Sequence, residues 1–147
     1  MYSYQDTGGS TACVDTGSAC VIGSTVAQGT AYSTNWGAGI GINVSQTALG
    51  STPASVTPTA SGLTYSVSSI PTQGLRVVIG NSGADVCHNI TTTSGQIPWS
   101  DFVTDCWDTV PDGGVYSTSD GIIKVQFQVP AGGTPGSYEF CVNSVSF

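Results

Sequence analysis

Trp36-Gly37-Ala38-Gly39-Ile40-Gly41-Ile42-Asn43-Val44 is the stretch on which the fold turns. Read with a period of two, it places Ile40, Ile42 and Val44 on one face and Gly39, Gly41 and Asn43 on the other. That is a strand with a branched aliphatic face for a core. Its opposite face is almost without side chains, so a ligand there would approach the backbone closely. Ile122-Ile123-Lys124-Val125-Gln126-Phe127-Gln128-Val129-Pro130 alternates in the same way and ends at a proline. Ile97-Pro98-Trp99-Ser100-Asp101-Phe102 reads as a strand running into an aromatic corner.

Working outward, strand signals recur at short intervals between Gly, Ser, Pro and Thr clusters. They fall near Tyr2–Gln5, Cys20–Thr25, Ala38–Ser45, Gly62–Ser69, Leu75–Gly80, Ala84–Ile90, Gln96–Pro98, Ile122–Val129 and Tyr138–Phe147. No window shows helical periodicity; the nearest, Trp99 to Trp107, makes a 3-10 turn at best because of Pro98 and Thr104. Eight to ten strands without helices predict an all-β chain, a single-domain antiparallel β-sandwich of the jelly-roll kind over residues 1–147.

Composition narrows the function. Charged residues are 7% of the chain, against about 25% in an average soluble protein. The surface is then mostly hydroxyl and amide, which suits a neutral, hydroxyl-rich partner. A net charge of −7, with Arg76 and Lys124 as the two basic residues, leaves nothing to neutralise phosphates and argues against nucleic acid. It argues equally against an anionic membrane surface or a polyanionic polysaccharide. No run of about 20 apolar residues is present to span a bilayer.

Met1-Tyr2-Ser3-Tyr4 opens without a signal peptide, so the expectation is a mature or excised domain with an added start methionine. The five cysteines, Cys13, Cys20, Cys87, Cys106 and Cys141, contain no CxxC pair. They predict two disulfides with one buried free thiol, hence an oxidising, extracellular location. Cys13 and Cys20 bracket a small turn and are placed to close a local loop. Cys87, Cys106 and Cys141 then compete for the second bridge, and sequence does not fix the connectivity.

Five segments, taken in order, resemble carbohydrate-binding modules of the galactose-binding-like jelly-roll type. They are Tyr4-Gln5-Asp6-Thr7-Gly8, Trp36 to Val44, Leu75-Arg76-Val77-Val78-Ile79-Gly80, Ile97 to Phe102, and Phe140 to Phe147. The resemblance runs from residue 2 to residue 147. It implies a secreted, non-catalytic module, a monomer that binds a neutral polysaccharide and belongs to a larger secreted enzyme or surface protein. It also implies a structural calcium held by an acidic residue of the opening and an Asp of the closing strand. Here Gln5 and Asn143 stand in those places, with Asp6 as the substitute carboxylate. Hard cations prefer carboxylates, so the calcium set would be Asp6 with Asn143. Asp108 and Asp112 form an alternative acidic loop without EF-hand spacing.

Neutral sugars are held by aromatic faces packed on C–H faces and by planar polar groups paired with hydroxyls. Trp36, at the mouth of the glycine strand, is the leading platform, with Tyr32 before it and Trp107 in the later loop. Arg76 offers five donors in a fixed fork, and Asn43 an amide on the glycine face. Trp99 and Phe102 read as core. Cys87 and His88 are strand neighbours on opposite faces and form no nucleophilic pair. The rival readings are a small glycan-active lyase or hydrolase on the same fold, for which no motif selects a carboxylate pair, and a protein-binding adhesion domain.

Overall fold

The computed structural model describes residues 1–29, 33–108 and 113–147. Among these residues ten strands form two antiparallel five-stranded sheets. They are β1 (Tyr2–Gln5), β2 (Thr11–Asp15), β3 (Cys20–Thr25), β4 (Gly37–Asn43), β5 (Gly62–Val67), β6 (Leu75–Gly80), β7 (Val86–Ile90), β8 (Ser94–Pro98), β9 (Lys124–Pro130) and β10 (Gly136–Ser146). The first sheet runs β1-β4-β9-β6-β7 and the second β2-β3-β10-β5-β8. Strands β3 to β10 thus lie in the orders 3-10-5-8 and 4-9-6-7, the two interleaved sheets of a jelly roll. The aromatic corner Trp99–Asp101 is a short 3-10 turn, as its sequence predicts.

Each sheet turns on a central strand with alternating faces. In β9, Val125, Phe127 and Val129 point into the sandwich, while Gln126 and Gln128 lie on the outer face. In β10, Tyr138, Phe140 and Val142 point inward. A register shift between Val142 and Ser144 leaves Asn143 as the extra residue of a β-bulge. The bulge reverses the parity of the strand. Val145 and Phe147 therefore return to the core side, where they pack on the buried cluster. Phe102, Phe127 and Phe140 are among the largest fully buried side chains, each contributing about 1.5–3 kcal/mol by burial. Trp99 packs against Phe102, Tyr116 and Phe147 to close one end of the core, and its indole N–H donates to the Ala60 carbonyl at 2.7 Å.

Two disulfides tie the sandwich, and their pairing differs from the local loop expected between Cys13 and Cys20. Cys20 bonds Cys141, the residue directly opposite it in the β3–β10 ladder. Cys13 pairs in register with Ile22, not Cys20, so its side chain has no cysteine across from it. It is the free thiol, and it is exposed rather than buried, because β2 turns Ala12 and Val14 inward and Cys13 outward. The second bridge joins Cys87 on β7 to Cys106.

Candidate functional site

The outer face of the first sheet carries two side-chain rows set by strand register. Tyr4, Gly39, Gln128, Arg76 and Asn89 make one, and Tyr2, Gly41, Gln126, Val78 and Cys87 the other. The glycines have a structural use. A Cβ on Gly41 would stand 2.3 Å from the Tyr2 ring, and one on Gly39 would stand 2.0 Å from the Phe127 carbonyl oxygen. The glycine face is therefore not bare to a ligand as expected. Tyr2 covers Gly41, and Gly39 admits the neighbouring strand.

One wall of the site is Trp36. Its ring stacks on Tyr4, with centroids 5.8 Å apart and planes 18° from parallel, and it lies outside the buried core. Its backbone is held from several sides. The Trp36 carbonyl accepts from the Gln128 amide at 3.1 Å and from the Ala131 N–H at 3.3 Å. Gly37 donates its N–H to Asp6 Oδ2 at 2.9 Å and accepts from the Asp6 N–H at 2.9 Å. Gly37 has φ +120°, and a Cβ there would meet the Val129 carbonyl at 2.1 Å, so only glycine fits beside the tryptophan.

The opposite wall is Trp107, 48% exposed. Its position follows from the chain. Val103 bridges to Cys87 through both backbone hydrogen bonds, at 2.7 and 3.1 Å. The Cys87–Cys106 disulfide then draws the following turn over the outer face, and the Asn89 amide donates to the Cys106 carbonyl. Between the walls lies a cavity of about 400 Å³, floored by Arg76, Val78, Gln126 and Gln128 and edged by Tyr4, Asp85 and Lys124. A second cavity of about 520 Å³ shares Arg76 and Trp107 and adds Gln28, Asn89 and Asp108. Together they form a groove in the size range of ligand sites.

Its electrostatics are simple. Lys124 Nζ bonds Asp85 Oδ2 at 2.9 Å. Arg76 is 7% exposed; among the described residues no carboxylate pairs with it, and its Nε is buried without an acceptor. The Tyr4 hydroxyl is likewise buried without a partner. Burial pushes its pKa well above the ordinary phenol value, with the neighbouring Tyr2 and Tyr138 adding to the rise and Arg76 opposing it. Tyr4 is then a neutral hydroxyl donor at any physiological pH.

The structure brings Trp36, Arg76 and Trp107 into one groove. Tyr32 lies outside the described residues, as does Asp112 of the alternative acidic loop. Asn43 sits at the far end of β4, where its amide donates to Gln46 Oε1 at 3.0 Å, and it does not line the groove. Asp6 accepts four hydrogen bonds, from Gly8 N, Ser10 N, Ser10 Oγ and Gly37 N. Burial raises its pKa, but these bonds outweigh it and the carboxyl is held below its ordinary value. Asn143 is on the other sheet and donates to Ser66 Oγ at 3.4 Å. No group of three or more metal-ligating His, Cys, Asp or Glu exists among the described residues. His88 turns away from Cys87, with Nδ1 at 3.0 Å from the Asp101 carbonyl. The sequence reading missed Tyr4, Gln126 and Gln128. Their signal was the outward register of β1 and β9 beside the glycine strand. No family model matches the chain, nor does any curated protein or solved structure.

Proposed function

We propose that this domain binds a glycan without chemistry, in the groove on the outer face of the first sheet. The observation that carries the reading is the convergence of two tryptophans, Trp36 and Trp107, on a floor of Gln126, Gln128 and Arg76. Aromatic walls over a planar polar floor match the two surfaces of a sugar ring, its C–H faces and its hydroxyl edge. The second cavity adjoins the first through their shared lining, Arg76 and Trp107, and the two together suit several residues of a chain with a neutral backbone. The non-catalytic part of the reading rests on the carboxylates. Asp85 is the acidic residue lining the first cavity, and its charge is engaged by Lys124; Asp108 is the acidic residue lining the second, and neither cavity holds a pair of carboxylates among the described residues. Glycoside hydrolysis needs two carboxyl groups across the bond.

The two disulfides support an extracellular setting. A glycan array, followed by a reducing-end assay on each hit, tests the reading. Retention of hydroxyl-rich glycans with no new reducing ends is the expected result. Release of reducing ends would make the domain an enzyme, and an array with no hits would leave the groove to a non-glycan partner.

A further inference from the structure

We infer that the groove is built for a glycan carrying one carboxylate, a uronic acid residue on an otherwise neutral chain, with Arg76 as its seat. The inference rests on the glycan reading above and names what that reading leaves open. Its basis is a charge balance. Three ionic groups line the first cavity. Lys124 and Asp85 neutralise each other at 2.9 Å, which leaves the Arg76 guanidinium as the charge of this cavity without an ion pair among the described residues; Asp108, which lines the second cavity with it, does not reach it. It is buried to 7% exposure, on β6 between β9 and β7, in register with Gln128 and Asn89. A cation removed from water without a counterion is costly, and proteins normally supply the partner. Among the described residues this one does not: no ion pair or hydrogen bond engages Arg76, and Nε has no acceptor.

The neighbours complete the seat. The Tyr4 side chain lines the same cavity, and its hydroxyl is buried without a partner. A guanidinium fork matches a planar carboxylate with two parallel N–H···O bonds. A neutral sugar hydroxyl would accept a hydrogen bond but leave the charge unbalanced. A homopolymer of uronic acids fits poorly, because the whole chain carries −7 and the groove offers one free cation among the described residues. The single anionic residue is what the charges select.

The test compares a matched pair by calorimetric titration of the wild-type domain: a neutral oligosaccharide bearing one uronic acid, and the same compound with its carboxyl reduced to a primary alcohol. We expect the acid to bind roughly ten- to hundredfold more tightly, the range of a hydrogen-bonded charged group. Arg76→Gln should bind the two members equally. Equal or tighter binding of the reduced compound by wild type overturns the inference while leaving the glycan reading intact. Failure of both to bind, when no neutral array hit exists, overturns the glycan reading itself. A sulfate monoester at the same position that binds more tightly than the carboxylate would overturn the choice of anion. The wild-type comparison needs no variant, so a misfolded Arg76→Gln domain leaves the test decisive.

Discussion

At the scale of single residues, Trp36 and Asp6 act together. Trp36 lies outside the buried core and stacks on Tyr4, so Trp36→Ala should leave the fold intact. It should weaken glycan binding by about 2 kcal/mol, the size of a hot-spot aromatic, or roughly thirtyfold. Affinity electrophoresis beside circular dichroism separates the two effects. Unfolding of the variant would place Trp36 among the structural residues instead. Asp6 works from behind. Its two oxygens take four hydrogen bonds, one of them from the residue after Trp36. Its folded pKa lies below the unfolded reference of 3.8. The stabilisation is therefore fully present above that reference and is lost as the pH falls through the folded value. Asp6→Asn replaces an acceptor by a donor facing Gly37 N–H, and should cost about 1–3 kcal/mol at neutral pH. It should also flatten the fall in stability below pH 4, read from urea midpoints across pH. A parallel decline in wild type and variant would remove Asp6 from the account.

At the scale of elements, the two disulfides have separate consequences. Cys20–Cys141 spans 121 residues and lies on the second sheet, away from the groove. Removing it should cost about 4–5 kcal/mol of stability and leave affinity for the glycan unchanged in the folded fraction. Cys87–Cys106 spans 19 residues and holds the turn that carries Trp107. Removing it should cost about 3 kcal/mol and weaken binding as well. Melting curves and titrations on the two double Cys→Ser variants check this contrast. Equal binding by both variants would mean that Trp107 is positioned by other contacts. Alkylation without reductant should label one thiol, Cys13, the exposed free cysteine. The element missed in the sequence was β2. Thr11-Ala12-Cys13-Val14-Asp15 offers only Ala12 and Val14 to the core. Between glycine-rich flanks so short an alternation is indistinguishable from a turn. The cysteine pairing was hidden for a related reason. Cys20 and Cys141 become neighbours only through the antiparallel register of β3 and β10, a long-range fact that local spacing does not carry.

At the scale of the molecule, the class of fold was legible because alternation in β4 and β9 and the aromatic corner are local signals. The site was legible in part. Trp36, Arg76 and Trp107 could be picked by type, since bulky aromatics and the lone arginine stand out in a chain of Ser, Thr and Gly. Tyr4, Gln126 and Gln128 could not, because which face of a strand looks onto a groove is decided by the whole sheet. The charge distribution gives a further expectation. With one free cation in the groove, binding of an uncharged glycan should stay flat from low to high salt, since no counterions are released. Calorimetry at two ionic strengths measures it, and a steep loss of affinity for the uncharged glycan would contradict binding by stacking and neutral hydrogen bonds. The most direct measurement is a map of amide and indole chemical-shift changes on titrating the best array glycan into the labelled domain. The account predicts changes clustered at Trp36, Gly39, Arg76, Gln126, Gln128 and the Trp107 indole. Changes clustered instead at Thr11, Ile22, Thr64 and Gln96, on the outer face of the second sheet, would contradict it.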